Sequence, residues 1–533
     1  MNEGQIHDSL RGLDWDGRRL VIDTRPGAAV EVHFDGAPFA RLVADASGRV
    51  TLGMPYAPGG HATLALGLVI DGTPAGRPVG IVCGRPGLVR APAPALPLRP
   101  VGTEETVDAL APDDPLGREV AIVVPVYDAA EAVRACLDSV LAQTARPARL
   151  IVIDDASPDP AIAPLLAGYA SRRGVAVLRN ATNRGFTATA NRGIAEAGQA
   201  DVVLLNADTE VAPGWLDGLR QAAWVAADIA SATAVSDNAG AFSVPELERE
   251  NPFPAGWNHG DAARVLRQQA GLVRPALPTG NGFCLYLRRD WLERIGPLDE
   301  AAFPQGYGEE NDWCQRAEAH GGRHVIAGNV LVRHARSQSF GHERRQRLGE
   351  AGMAVLRERY PQYEAAVGAT LHSFERRVLD WRVRRLYAAA STWMPRPRWL
   401  WLDGDVPTDV ADLCEPWRLA IDGNDLRLER ESDDAWITVD VATAAIGHPA
   451  APSSWRQGEG CLGRWLQSHG IEAAVGAIPT MLGPRIARLL ERLGIAHAMP
   501  AAGERIAAAI ARATRALNAF ADEPSGPHGE AMS

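Results

Sequence analysis

The sequence predicts an α/β protein. Its central unit is a parallel sheet, flanked by a β-rich N-terminal domain and a smaller C-terminal α/β region. Three observations carry this reading. From Glu119 onward, short apolar runs alternate with helical periodicity roughly every 25–30 residues, the pattern of βαβ units. Before residue 90 the apolar runs are short and separated by turn pairs. After residue 398 a second alternation of strand and helix begins.

Residues 1–90 hold β-type runs at 20–23, 29–34, 40–43, 50–52, 63–70 and 79–83, punctuated by Asp35-Gly36, Ser47-Gly48, Gly59-Gly60 and Asp71-Gly72. That spacing predicts a small antiparallel sandwich. No aromatic platform marks it as a carbohydrate-binding module, which leaves a spacer or docking domain as the plainer reading. Residues 91–117 form a joint that opens with the Pro-rich run APAPALPLRP, extended and semi-rigid.

The central unit spans 118–360. Strands are expected at 120–125, 150–153, 175–179 and 202–205, with helices at 131–143, 161–172 and 187–197 between them. Later strands fall at 284–287 and 325–332. Residues 236–278 look irregular and are expected to shape a pocket and move partly as a lid. Residues 361–402 form a basic, Trp-rich helical segment, and 403–521 an accessory region. In the latter, strands are expected at 417–421, 436–441 and 473–478, and helices at 462–469, 484–493 and 501–521. Residues 522–533 read as a disordered tail.

Bulk properties narrow the chemistry. A net charge of -11 argues against a nucleic-acid partner. All 54 basic residues are arginine, which excludes Schiff-base chemistry and a phosphate-loop lysine. The six cysteines lie far apart without zinc-ligand spacing, which predicts buried thiols in a reducing compartment. With no secretory signal pattern and no spanning apolar run, the expected location is cytoplasmic.

In parallel sheets, ligands sit beyond the carboxyl ends of the strands. Those ends carry Pro125-Val126-Tyr127-Asp128, then Asp154-Asp155-Ala156-Ser157. Next come Asn183-Arg184-Gly185-Phe186, with Asn191 in the following helix, and Asn206-Ala207-Asp208. Together they make a nucleotide-sized polar rim. No GxGxxG follows the first strand, so a dinucleotide fold is disfavoured. In VVLLNADTEV (202–211) a buried strand breaks into Asn206 and Asp208, two oxygen-bearing side chains that project the same way. Such groups suit Mg²⁺ or Mn²⁺ carrying a diphosphate. They also suit an ordinary turn.

Several further pieces complete a pattern: PVYD (125–128), IDDAS (153–157), NRGF with Asn191 (183–191), LLNADTEV (204–211), GNGF (280–283), IGPLDE (295–300), GYGEENDWCQR (306–316) and VRHARSQSFG (332–341). In order and spacing they resemble glycosyltransferase family 2 over about residues 118–360. Those are inverting, rhamnosyltransferase-like and polysaccharide-building enzymes of the GT-A nucleotide-diphospho-sugar transferase fold. The resemblance implies transfer of a sugar from a UDP- or dTDP-type donor to a hydroxyl of a glycan or lipid-linked acceptor in surface polysaccharide biosynthesis. It also implies a divalent cofactor, Mn²⁺ or Mg²⁺.

Residue roles follow from the resemblance, each beside a plainer one. Asp155 would accept from a pyrimidine N–H, although an Asp-Asp-x-Ser run also caps helices. Asn183, Arg184 and Gly185 resemble the loop over base and ribose, with Pro125, Tyr127, Asn191, Asn206 and Gly282 completing the donor side. Asp208 would ligate the metal. Asn206 stands where the family usually has the first Asp of D-x-D, which removes one negative charge. His334 resembles the late histidine of the metal site, where a lone His is otherwise a structural residue. Glu309-Glu310-Asn311-Asp312 resembles the acceptor-side acidic motif. Glu310 aligns with the catalytic base, Glu309 and Asp312 are alternatives, and helix-dipole enrichment is the bland account.

Two other readings stay open at this point. A non-catalytic GT-A scaffold or nucleotide-sugar-binding protein is the alternative function, with Asn206 and Glu310 as its support. The segment 374–402, with seven arginines and Trp381, Trp393, Trp399 and Trp401, could make a peripheral contact with an anionic membrane, at the inner face of the cytoplasmic membrane, or simply pack on the catalytic unit.

Overall fold

The computed structural model describes four stretches of the chain: 10–89 except 18, 35–36, 54–62, 77 and 83–84; 118–335 except 146 and 271–272; 342–443 except 372, 391–394, 403–405, 408–409, 411–412, 423–424 and 433–434; and 462–520 except 464, 468, 479–482 and 502–503. The predicted joint at 91–117 and tail at 522–533 lie outside the described residues.

At the N-terminus, β1 (Gly12–Trp15), β2 (Arg19–Asp23) and β5 (Arg49–Gly53) form one antiparallel sheet. A second contains β3 (Ala29–Phe34), β4 (Ala37–Val43), β6 (Thr63–Ile70), β7 (Thr73–Pro74), β8 (Val79–Val82) and β9 (Arg85–Val89). Alternate residues of β2 and β3, such as Leu20, Ile22, Val30 and Val32, enter one shared core around Trp15 and Phe34.

The central sheet comprises β10 (Val120–Val126), β11 (Ala148–Asp154), β12 (Val175–Arg179), β13 (Asp201–Leu205), β15 (Ile229–Val235), β16 (Ala276–Leu277), β17 (Cys284–Leu287) and β18 (Arg323–Leu331). Its order is β12-β11-β10-β13-β17-β15-β18-β16. Strands β10 to β13 are parallel, joined through α1 (Ala130–Gln143), α2 (Ile162–Ala170) and α3 (Phe186–Glu196). Val120, Ile122 and Val124 face one apolar layer while Ala121 and Val123 face the other, so β10 is buried on both sides.

Beyond the parallel strands expected from the sequence the sheet is mixed, because β17 runs antiparallel to both β13 and β15. An apolar run such as CLYL reads the same in either direction. Its connection, rather than its composition, sets the polarity. A short ribbon, β14 (Thr209–Glu210) with β19 (Arg333–His334), closes one end of the sheet. Residues 236–278 are also more regular than expected, since α5 (His259–Gln269) begins in a capping box between Asn258 and Asp261 and packs on β18.

Of the two readings left open for 374–402, its described side chains support packing on the central unit, and nothing supports the membrane contact. Helix α10 (Phe374–Ala389) sends Leu379 and Val383 into the main core. Arg376 is fully buried, paired with Asp380 at 2.9 Å and donating to the carbonyls of Ala241 and Ser243. Arg384 pairs with Glu246, and Arg382 donates to the Ala270 carbonyl. Trp399 and Trp401 are buried in a strand. Trp393 and the side chain of Trp381 lie outside the described residues. Among the described residues no helix is long and apolar enough to cross a membrane.

That strand, β20 (Arg398–Trp401), also shifts a boundary. It is a central strand of the C-terminal sheet, so the unit expected from 403 already includes 398–401. The sheet adds β21 (Glu415–Asp422), β22 (Asp425–Ser432), β23 (Ala435–Thr443), β24 (Ala473–Val475) and β25 (Ala496–Ala498), in the order β23-β22-β21-β20-β24-β25. Helix Gly483–Arg492 covers one face, with Leu400 and Leu402 beneath it. Helix Ile506–Leu517 covers the other, over Trp399 and Trp401. The chain then returns to the catalytic unit, where Phe520 is buried against the main core and Ala519 N–H donates to the Thr144 carbonyl.

Candidate active site

A cleft of about 440 Å³ opens beyond the carboxyl ends of β10, β11 and β13. Pro125 and Tyr127 line it where β10 ends. The turn into α1 then puts Asp128 and Ala129 at φ 60° and 59°. Left-handed backbone at two non-glycine residues is unfavourable and is typical of functional turns. Here the Asp128 N–H is held by the Ser157 hydroxyl at 3.0 Å.

Asp154 and Asp155 are both buried yet do different work. Asp154 pairs with Arg179 and accepts from the Ser157 N–H at 2.8 Å, closing the turn after β11. Asp155 lines the cleft. It accepts from Asn180 Nδ2 at 2.7 Å and from the backbone N–H groups of Arg184 at 2.8 Å and Gly185 at 2.9 Å. Three of its roughly four lone-pair positions are therefore filled, leaving one for a ligand. Gly185 has φ 85°, and a Cβ there would stand 2.1 Å from the Pro304 carbonyl oxygen. Only glycine lets these two loops meet.

Two sequence-predicted donor residues are corrected here. Asn191 does not line the cleft. Its amide clasps the backbone of Leu298, donating to the carbonyl at 2.9 Å and accepting from the N–H at 3.0 Å. Arg184 is exposed and contributes only its backbone N–H, to Asp155. Asn183, Asn206 and Gly282 do line the cleft. Of the two glycines in GNGF, Gly280 is the sterically required one, because a Cβ there would meet Leu285 at 2.5 Å.

Asp208 and His334 are brought together by the β14–β19 ribbon, in which Thr209 faces His334. His334 Nε2 lies 3.3 Å from Asp208 Oδ1, and both residues line the cleft beside Asn206. The His334 ring stacks on Phe283 with centroids 5.4 Å apart, and its Nδ1 is 3.0 Å from the Asn238 carbonyl. A carbonyl only accepts, so Nδ1 carries a proton, while Nε2 faces the Asp208 carboxylate. A carboxylate oxygen and an imidazole nitrogen at this separation suit a cation between them. Neutral imidazole, carboxylate and amide oxygen make a reasonable donor set for Mn²⁺ or Mg²⁺ completed by a diphosphate. Among the described residues no group of three or more His, Cys, Asp or Glu could hold a metal by itself.

Glu309, Glu310 and Asp312 sit in the first turn of α7 (Glu309–Glu318). Glu309 and Glu310 line the cleft and interact with one another. Burial raises both carboxyls, and Glu309, which also feels the charge of Glu310, is pushed well above the ordinary carboxylate range. Glu310 accepts from Glu309 and from the Gly282 N–H, so the two carboxyls behave as one pair that favours holding a proton between them. Glu310 Oε2 is buried without a hydrogen-bond partner.

Asp312 is a different case and corrects its place among the base candidates. It is fully buried and off the cleft, held by Arg316 at 2.8 Å, Arg359 at 2.8 Å and the Tyr360 hydroxyl at 2.9 Å. It ties α7 to α8 (His342–Arg359). The sequence reading also missed Phe283 as the stacking partner of His334, and Gln305 and Tyr307 as cleft residues. The glycines flanking Tyr307 were the available signal, since Gly306, Tyr307 and Gly308 all have positive φ.

The chain is similar in sequence to glycosyltransferases. Residues 121–296 match the family model described as glycosyl transferase family 2. The succinoglycan biosynthesis protein ExoU of Rhizobium meliloti (strain 1021) is 28% identical over 253 residues, covering 45% of this chain and 69% of that protein. The uncharacterized glycosyltransferase YibD of Escherichia coli (strain K12) is 30% identical over 95 residues, 18% of this chain and 27% of its own length. Among solved structures, the mannosyltransferase PcManGT from Pyrobaculum calidifontis, in complex with GDP-Man and Mn²⁺, aligns at 20% identity and a TM-score of 0.34, covering 51% of this chain and 75% of its own.

Proposed function

The chain carries a family 2 glycosyltransferase domain of mixed α/β architecture and is a glycosyltransferase; from that premise we propose an inverting enzyme that transfers a sugar from a UDP- or dTDP-type donor to a hydroxyl of a growing surface polysaccharide. The carrying observation is that Glu310, with a buried and unpartnered carboxylate oxygen, lines the same cleft as the Asp208–His334 pair. Similarity to a succinoglycan biosynthesis protein supports the polysaccharide acceptor, glycan or lipid-linked.

In this reading Asp155 uses its remaining lone pair on the pyrimidine N–H, and the Asn183–Gly185 loop, fixed by Asp155, covers the base and ribose. Pro125 and Tyr127 wall the base. Asn206 and Gly282 approach the diphosphate and sugar. Asp208 and His334, with Asn206 beside them, would hold a divalent cation, which when bound offsets the charge of the diphosphate. Glu310 accepts the proton of the acceptor hydroxyl as the oxygen attacks the anomeric carbon from the face opposite the phosphate, which inverts that centre. Glu309 holds the neighbouring proton and keeps a second negative charge out of the pocket.

The test is a calorimetric panel of UDP-, dTDP- and GDP-sugars with and without Mn²⁺, on wild type and Asp208→Ala, followed by an assay of nucleoside diphosphate release. Binding of a uridine or thymidine donor that requires Mn²⁺ and is lost in Asp208→Ala is expected. Folded protein that binds no nucleotide would sink the proposal.

A further inference from the structure

A second cavity, of about 240 Å³, lies in the seam between the catalytic unit and the C-terminal unit. It shares no lining residue with the catalytic cleft. One wall comes from the end of α1, from α4 (Trp215–Trp224) and from β18. The other comes from Leu466, Gln467, residues 470–473 and residues 493–496, with Trp399 beside them. We propose that this cavity is a binding site for one neutral, polyhydroxylated ligand of monosaccharide size.

The lining is the first reason. Asn329 is only 8% exposed, and its side-chain amide makes no hydrogen bond among the described residues. Gln143, Gln221 and Gln467 also line the cavity, likewise without side-chain hydrogen bonds among those residues. Asn329 is buried and Gln143, Gln221 and Gln467 are half-buried, and all four amides line one space with hydrogen-bonding capacity free for an occupant. Amides both donate and accept, which matches hydroxyl groups, themselves donors and acceptors.

Charge is the second reason. The two carboxylates on the walls are already matched: Asp217 by Arg220 at 3.0 Å, and Glu472 by Arg264 and Arg267, each at 2.9 Å. A charged ligand would find no free counter-charge here, whereas a neutral one needs none. Trp399 adds an apolar wall suited to the C–H face of a sugar ring.

Size is the third. The cavity has room for about eight waters at ~30 Å³ each, enough for a single pyranose and too little for a nucleotide sugar. Because its walls come from both units, occupancy would tie the docking of the C-terminal unit to the supply of free saccharide.

The probes are glucose, galactose and mannose, each followed by ligand-observed saturation-transfer NMR on the full chain. Saturating UDP, dTDP and GDP with Mn²⁺ block the catalytic cleft. At least one hexose should still show transfer under these conditions and in Asp208→Ala. Its binding should weaken by about tenfold in Asn329→Leu and in Gln467→Leu, each of which removes an amide at near-constant volume. The proposal is overturned if no hexose shows transfer, which would mean water alone fills the space. It is also overturned if the nucleotides or Asp208→Ala abolish the signal, or if both leucine variants bind like wild type. Gln467 is only half-buried, so that variant decides the matter if Asn329→Leu does not fold.

Discussion

Two acidic runs each send side chains into the cleft, Asp155 from Asp154-Asp155 after β11, and Glu309 and Glu310 from Glu309-Glu310-Asn311-Asp312 at the start of α7. They are sorted alike and finished differently. In each, arginine withdraws one carboxylate into the frame: Arg179 holds Asp154, while Arg316 and Arg359 hold Asp312. The cleft keeps Asp155 from the first and the Glu309–Glu310 pair from the second. There the likeness ends. Asp155 is surrounded by N–H donors from Asn180, Arg184 and Gly185, whereas Glu310 keeps one oxygen with none. A carboxylate ringed by donors suits rigid recognition, and one that is buried and under-donated suits accepting a proton. In the proposed mechanism the difference between binding and chemistry is thus a count of hydrogen-bond donors.

That contrast can be broken most sharply at Glu310. Glu310→Gln should lower kcat by about 10²- to 10⁴-fold with donor affinity nearly unchanged, as steady-state kinetics beside calorimetry would show. If Glu309→Gln suffers that loss instead, the two glutamates exchange roles.

Asp312→Ala leaves Arg316 and Arg359 without their partner and should destabilise the fold by about 2–3 kcal/mol in urea unfolding, both arginines being partly exposed. Turnover lost at unchanged stability would make Asp312 the base and erase the comparison.

Asp155→Ala should weaken UDP or dTDP binding by about 10- to 100-fold, because the Asn183–Gly185 loop loses its anchor; kcat at saturating donor should change much less. Equal losses in kcat and affinity would show that Asp155 does more than recognise.

The smallest effects are in pH. Since burial raises both Glu309 and Glu310 above 4.5, the acid limb of kcat should lie above the ordinary glutamate range and move down in Glu309→Gln. Groups raised in this way stabilise the fold below the unfolded value, and that contribution is lost as pH rises through the folded one. His324 has the opposite sign. Burial lowers it from 6.5 to about 4, so its contribution is complete above 6.5 and declines by about 1.4 kcal/mol per unit as pH falls toward 4. Urea unfolding across this range, on wild type and on Glu309→Gln, separates the two.

Strands β10 to β13 and helices α1 to α3 were legible because each is a continuous apolar or 3.6-periodic run with turn residues at its ends. The cleft residues Asp155, Asn206, Asp208 and Glu310 were legible for a related reason, since strand ends and a helix start place them without long-range information. His334 needed more. It stands 126 positions from Asp208, and only the β14–β19 ribbon joins them. The Arg398–Trp401 strand was hidden because Trp399 and Trp401, within an arginine-rich stretch, read as an amphipathic surface until helices covered both its faces.

By itself, then, the sequence determined the alternation of elements, the strand ends that carry polar groups and the chemical types gathered there, because these depend on neighbours within a few residues. Tertiary structure alone decided the direction of β17, the withdrawal of Asn191 and Asp312 into the frame, and the seam in which Asn329 meets Gln467. The reason is physical. Whether a polar side chain is a structural tie or a free group depends on which donors reach it, and those donors come from segments far away along the chain.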